Sequence, residues 1–416
     1  MDSGFGWTGH LPPLAARAWE AGPPALIECA TPDFQGHPRG HLVPASRFGQ
    51  RSPLQIPGSL FWQKSSGEVV GGPAARQAET LTLQAEMASA RPLPWAEGGA
   101  LHILHQPMDG EGRPAAQAPR QVLRRVLSHY GEQGLHAVVG AAIDIEVDGA
   151  ATDAGPNQGM GFGGLDTLAG LPRAIAAYAE EMGLILDGIE ARPMPGEIRL
   201  TLAPSEALAQ ADALYHLRRL VGEAARQTGG RAGPSPRPGA ALALSLTLVQ
   251  TRTGQSLFGP IETAGEGALG RFLGGLQAHL GAAAPLMVPD RAAYGAFGRT
   301  GANLTWGKGI DHGLGVRGAG GAPARFETAL SHATATPHLA IAGLLAAGYL
   351  GLIEDRQPTD PASPAQGLPR DLGRALAAFG DAHKLRMILG EEFARAYGAV
   401  KLAEWQHPEP MEAHKA

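Results

Sequence analysis

Two acidic residues separated by one apolar residue, Asp144-Ile-Glu146, are the first candidates for chemistry in this 416-residue chain. They lie in the run Ala137–Val147, which alternates around Ile143, Ile145 and Val147 and reads as a strand. Residues two apart on a strand point to the same face. Two carboxylates on one face can enter a cavity and offer oxygens to a hard cation, or they can be the solvated side of a strand. The residues alone favour the solvated face. A third carboxylate, Glu327, follows Arg325 by two positions, with Arg317 a little upstream. Glu327 is open to cation binding or to a buried ion pair with Arg199, Arg317 or Arg325, whose rupture would strand a charge. Other patterns are weaker. The Gly-rich stretch Gly155–Gly164 lacks the following Lys-Ser/Thr of a phosphate loop. The pairs His37/His41 and His102/His105 have metal-like spacing without a clustered Cys or carboxylate, so structural or surface roles are favoured. Tyr294 and Trp306 read as packing residues, and the lone Cys29 as a small buried hydrophobe.

The elements that position these residues follow from punctuation and period. Up to about Leu104, short β-like runs (Ala25–Cys29, Gly40–Val43, Glu68–Val70, Leu101–Leu104) alternate with Gly and Pro turns. Gln106–Arg120 is rich in Pro, Gly and Ala and reads as a connection. From Gln121, Val122, Leu123, Val126 and Leu127 recur at helical spacing to Gly131. Further helices are expected over Leu168–Met182, Ser205–Thr228, Ala268–Leu280, Pro337–Ile353, Leu368–Ala378 and Ala382–Trp405. Strands are expected over Glu197–Leu202, Ala240–Val249 and Arg325–Leu330, with a Gly/Pro loop at Gly229–Gly239. The pattern is that of an α+β chain with a small sheet first and a larger curved sheet with outer helices after it.

Composition narrows the function classes. Apolar residues make up 44% and charged residues 18%, which fits a folded globular protein and not a disordered one. A net charge of −5 without a Lys/Arg-rich run argues against nucleic-acid binding. No secretory signal is read at the N-terminus, and the longest apolar run, Leu339–Ile353, is short for a bilayer span, so no membrane partner is expected. A single cysteine fits a reducing, cytoplasmic setting.

Several strings, in order, resemble the glutamine synthetase family, especially its branch acting on γ-glutamyl-amine substrates. Asp33-Phe-Gln-Gly-His-Pro-Arg-Gly-His41 resembles a segment of the family's β-grasp domain. Pro119–Arg125 resembles the start of its catalytic domain, and Asp144-Ile-Glu146 its E-x-E strand. Trp306-Gly307 and Arg317 resemble a W-G…R segment. Arg325-Phe-Glu327 with Ala335–Gly348 resembles R-x-E-x-R…A-N-P-Y-L-A-x-A-A-L-L-A-A-G. The tail, with Leu368–Leu372, Leu389-Gly390 and Lys401–Glu404, is also similar. The resemblance implies a β-grasp domain over residues 1–105 and a catalytic-type domain with a curved antiparallel sheet over residues 119–416.

What the resemblance implies chemically is a two-step reaction. ATP with Mg²⁺ or Mn²⁺ phosphorylates the γ-carboxylate of glutamate, and ammonia or an amine displaces phosphate. Hard cations neutralise the phosphates, arginines hold the anions, and a carboxylate takes the amine proton. On this alignment Asp144, Glu146 and Glu327 keep metal-ligand positions, and Arg317 and Arg325 keep ATP- and substrate-facing positions. Most other positions are replaced. Arg199 and Ala191 stand where metal-binding Glu residues are expected, with Glu190 one residue off register. Ala243 and Ser245 replace two histidines, and Ala329 replaces an arginine. Ala296 and Ala302 replace the arginine and the base carboxylate, and Asp311-His312 fall at an N-R pair. A cation fixed in a cation site repels the metal or replaces it. Three functions follow: a pseudoenzyme in a homo-oligomeric ring or beside an active paralogue, a divergent ATP-dependent γ-glutamyl ligase, or a small-molecule binder using the remnant cavity. The losses in every segment favour the first.

Overall fold

The computed structural model describes residues 7–49, 53–148, 161–168, 170–294, 304–309, 313–319, 321–360 and 367–407. Six short strands form the first sheet: β1 (Leu26–Pro32), β2 (Pro38–Pro44), β3 (Gln55–Pro57), β4 (Thr80–Ala85), β5 (Arg91–Pro92) and β6 (Ala100–Met108). Their order is β2-β1-β6-β4-β3, with β5 beside β6. β1 and β6 run parallel at the centre, and the other pairs are antiparallel. β6 is buried along nearly its whole length, as a central strand covered on both faces must be. Helix α1 (Pro13–Ala21) opens with proline in its first turn, where no N–H is needed. Its Ala15 and Trp19 join Ile27, Cys29, Leu101 and Ile103 in a small core. A short α2 (Gly72–Arg76) lies in the long connection from β3 to β4.

The second sheet has eight strands: β7 (Leu135–Asp148), β8 (Leu186–Ala191), β9 (Glu197–Glu206), β10 (Arg231–Pro234), β11 (Ala241–Gln250), β12 (Trp306–Lys308), β13 (Leu314–Arg317) and β14 (Arg325–His332). Their order is β12-β13-β14-β11-β7-β9-β8, with β10 on β7, and only β12 and β13 pair in parallel. One face carries Ile143, Ile145, Ile198, Leu200, Leu242, Leu244, Leu246 and Phe326, all buried. Helices cover that face: α3 (Pro119–Glu132), α4 (Phe162–Asp166), α5 (Leu171–Met182), α6 (Ala207–Gln227), α7 (Gly267–Met287), α8 (Pro337–Ile353), α9 (Leu372–Asp381), α10 (His383–Leu389) and α11 (Glu391–Gln406) supply the outer layer. The α+β expectation holds.

The run Leu339–Ile353 lies in helix α8, whose residues Pro337–Gly351 are buried on every side, against α3, α6 and α7. Among the described residues no helix is long and apolar enough to cross a membrane. α7 and α8 approach until their backbones touch. A Cβ on Gly275 would lie 2.5 Å from the Gly351 Cα, and one on Gly351 would lie 2.2 Å from the Arg271 carbonyl oxygen. Only glycine allows this crossing.

The elements depart from sequence expectation in identifiable ways. β9 runs through Glu206 because Ser205 and Glu206 still pair with Val139 and Val138, so the helix expected from Ser205 starts at Ala207. The tail helix expected over Ala382–Trp405 breaks at Gly390, whose φ of 99° leaves the helical region. A side chain there would strike the Arg125 guanidinium, which donates to the Leu389 carbonyl at 2.6 Å. Glu68–Val70 forms only a single bridge, Gln63 with Val69. The Gly/Pro loop after α6 contains the edge strand β10.

A buried ionic junction joins the first sheet to α3, α6 and α8. Glu28 on β1 accepts hydrogen bonds from the Arg219 guanidinium and from His102 Nδ1 at 3.0 Å. Arg219 stacks over Trp95, 5.8 Å from its ring centroid. Asp212 on α6 accepts from Arg120 at 2.9 Å and pairs with His338 Nε2 at 2.8 Å. Arg124 donates to Glu86 at 2.7 Å. Burial alone would raise the Glu28 carboxyl, but the hydrogen bonds from His102 and Arg219 outweigh it and hold it at about 2. Burial pushes the His102, His216 and His338 imidazoles below their ordinary 6.5.

Two outcomes follow. Gly351→Val forces α7 from α8 and lowers stability by about 1–3 kcal/mol or more, read as a fall in urea midpoint. The unfolded chain protonates these histidines near pH 6.5 while the folded chain resists. Stability is therefore level above about 6.5 and falls as pH drops below it, with the Glu28 contribution lost in turn from 4.5 toward 2. Melting temperature measured against pH shows this fall, and His216→Leu makes it shallower.

Candidate functional site

The face of the second sheet opposite the apolar layer carries the charges. Cross-strand register sets Glu190 on β8 opposite Arg199 on β9, and Arg199 opposite Asp144 on β7. Asp144 in turn stands in register with the segment opening β11, where the Ala241 N–H donates to Asp144 Oδ2 at 2.8 Å. Glu146 lies opposite Glu197. Farther along β11, Ser245 pairs with Glu327 on β14, and Arg325 pairs with Arg317 on β13. Asp144, Glu146, Glu327, Arg317 and Arg325 thus share one face, as the spacing of two required.

They do not meet at one point. Glu327 is two strands away from Asp144 and four residues farther along, a separation on the order of 15 Å. Oxygens that share one hard cation each lie within about 2.6 Å of it. Among the described residues, no three His, Cys, Asp or Glu side chains are grouped to hold a metal ion.

Each candidate carboxylate instead holds arginine. Asp144, buried with 1% of its surface exposed, takes a two-pronged fork from Arg199, Nε to Oδ1 at 2.8 Å and Nη2 to Oδ2 at 2.9 Å. Arg192 Nε lies 3.4 Å from Oδ1. Glu146 Oε1 accepts from Arg237 Nε at 2.8 Å, and the Arg237 carbonyl is tied to His332 Nε2 at 3.0 Å. Glu327 lies between two arginines, Arg325 Nε at 2.8 Å and Arg317 Nε at 2.7 Å. Both forms of that pairing left open by the sequence occur together, and Arg199 goes to Asp144. As arranged, this donor set does not fit a divalent cation, because guanidinium groups already occupy the oxygens a cation needs.

Arg317 and Arg325 keep roughly half their side-chain surface exposed and line a cavity of about 310 Å³ with Gly318, Ala319 and Pro323. Each guanidinium spends its Nε on Glu327, so its remaining N–H donors can reach an anion there. Ala243 lies on the same face opposite Ala142, and Ala329 is exposed. Ala296, Ala302, Asp311 and His312 lie outside the described residues, as does most of Gly155–Gly164.

The structure also corrects a register. Ala191 pairs with Ile198 on the apolar face and is buried, whereas Glu190 faces the charges beside Arg199. The residue that appeared one position off is the one on the site face. Arg192 and Arg237, which hold Asp144 and Glu146, went unnoticed in the sequence. Arg192, two residues after Glu190, carried the one available signal, a second charge on the same face. His102 and His105 are structural, whereas His37 and His41 lie at the surface. His102 serves Glu28, His105 Nδ1 meets the Ile103 carbonyl at 2.8 Å, and His41 Nε2 meets the Gln55 carbonyl at 2.7 Å. Trp306 donates to the Thr359 carbonyl at 2.7 Å, and Cys29 is buried.

Removing Arg199 from the fork leaves the buried Asp144 charge with only Arg192 Nε, 3.4 Å away, and the Ala241 N–H. Arg199→Met is expected to cost about 3–5 kcal/mol in urea unfolding, and Asp144→Leu/Arg199→Met to cost clearly less.

Comparison with known proteins agrees with this architecture. Residues 116–415 match the family described as glutamine synthetase, catalytic domain. Glutamine synthetase of Halobacterium salinarum is 25% identical over 350 residues, covering 75% of this chain and 76% of that protein. Human lengsin is 24% identical over 412 residues, covering 91% of this chain and 79% of lengsin. The solved structure of apo GmaS without ligand superposes with a TM-score of 0.82 at 23% identity, over 94% of this chain and 95% of that one, and so shares the fold. The chain belongs to the glutamine synthetase family.

Proposed function

We propose that this chain is a non-catalytic member of its family, a pseudoenzyme that works as a ring subunit with copies of itself or with an active paralogue in the cytoplasm. One observation carries the reading: Asp144, Glu146 and Glu327 are each bonded to arginine. The family reaction needs carboxylates free to hold Mg²⁺ or Mn²⁺ against ATP phosphates. Here the counter-charge is covalently part of the chain. A guanidinium fork cannot follow a phosphoryl group as an exchangeable cation with bound water can. The replacements at Ala243, Ser245 and Ala329 remove further polar groups from the same face.

A second reading, a divergent ATP-dependent γ-glutamyl ligase, is favoured by the Arg317/Arg325 cavity, whose two half-exposed cations suit phosphate oxygens. It requires Asp144, Glu146 and Glu327 to exchange arginine for Mg²⁺ or Mn²⁺. The third reading, a binder of small molecules in the remnant cavity, would use the same arginines without turnover.

Calorimetric titration with ATP in excess Mg²⁺, together with an assay for ADP release in the presence of glutamate and ammonia or alkylamines, separates the three. The non-catalytic reading expects ring-sized particles by light scattering and no ADP release. Turnover abolished by Glu327→Ala establishes the ligase, and saturable ATP binding without turnover establishes the binder.

A further inference from the structure

We infer that Arg199 is a built-in counter-cation that closes this end of the sheet face to divalent metal. The inference deepens the non-catalytic reading and rests on it.

Arg199 stands at the centre of an acidic set assembled by register. Glu190 is its neighbour across β8 and Asp144 its neighbour across β7. Glu197 lies two residues before it on the same strand, and Glu146 stands opposite Glu197. The pleat places all four carboxylates and Arg199 on one face. Three arginines, Arg192, Arg199 and Arg237, answer these four carboxylates, so the set carries one negative charge in excess. The Arg199 fork covers both Asp144 oxygens, and the Ala241 N–H takes a further lone pair. A cation approaching Asp144 must displace that fork and then face its positive charge in a buried setting, where screening is weak.

A second observation sets this face apart from an ordinary acidic cluster. Glu197 is 8% exposed, and its buried Oε1 accepts no hydrogen bond from any described residue. A buried carboxylate oxygen without a donor is costly. The oxygen is a donor atom of the kind hard cations take, on the same face as Asp144 and Glu146. The Arg199 charge, two residues along the same strand, opposes its use, with Arg192 and Arg237 on the neighbouring carboxylates. Arg199→Glu replaces one arginine by one more carboxylate, leaving five carboxylates against two arginines.

The test is Mn²⁺ binding by the full-length chain without nucleotide, followed by calorimetry and by the shift in melting temperature. The wild type is expected to show no saturable binding and no shift. Arg199→Glu is expected to melt lower than wild type in EDTA and to regain stability with Mn²⁺, binding it at least tenfold more tightly. Adding Asp144→Asn to that variant is expected to abolish the gain. If Arg199→Glu does not fold, Arg199→Gln removes the charge with a smaller perturbation, and Mn²⁺ must still raise its melting temperature. Saturable Mn²⁺ binding by wild type that Asp144→Asn abolishes overturns the inference, as does the absence of any Mn²⁺ response in both position-199 variants. ADP release measured on the same wild-type sample keeps the two ideas apart. Turnover overturns the non-catalytic reading, whereas nucleotide-free Mn²⁺ binding without turnover overturns only the role of Arg199.

Discussion

A strand places alternate side chains on opposite faces, and the large sheet keeps that division around its charged residues despite register shifts near Leu242, Val139 and Leu186. On β7, Ile143 and Ile145 face the helices while Asp144 and Glu146 face the other way. On β9, Ile198 and Leu200 pack inward while Glu197 and Arg199 do not. β11 and β14 continue the pattern with Leu244, Leu246 and Phe326 against Ser245 and Glu327. A slip of one residue in any strand would drive charges under α6 and α8 and expose the core. The site is therefore the reverse side of the core, and its geometry is as rigid as the packing behind it. The glycine contact between α7 and α8 belongs to the same constraint, since it lets a helix buried on all sides lie within the layer that covers the sheet.

Charge on that face is managed by arginine. A guanidinium offers a planar fork that matches a carboxylate, is less strongly hydrated than a metal ion, and does not dissociate. Arg317 and Arg325, both held by Glu327, stay about half exposed beside a cavity.

The junction between the two sheets follows a different logic. Glu28 and His102 meet Arg219 in one part-buried cluster, and Glu86 meets Arg124 and Arg120 at the edge of a second, in which Arg120 and His338 hold Asp212. Such networks add specificity of docking more than net stability, because desolvation offsets much of the attraction. This one orients the first sheet on α3, α6 and α8 while the neighbouring apolar residues supply the burial.

Much of this was legible in the residues themselves. Alternation located β7, apolar runs located β11 and α8, helical spacing located α6, and ordered strings such as Arg325-Phe-Glu327 pointed to the family that residues 116–415 match. That Arg199 and Ala243 stand where the resemblance implies metal ligands was visible as identity alone. Short or edge elements were not legible: β3, β10 and β12 have too few residues for a period to emerge, and the edge strand β8 is defined by its pairing with β9. The site's charge partners were equally hidden. Nothing local says that Arg199 forks onto Asp144, that Arg237 reaches Glu146, or that Glu190 and not Ala191 faces the charges. Those facts depend on register between strands separated by dozens of residues. Local sequence specifies period and polarity, but the alignment of one strand against another is set by the whole packed sheet.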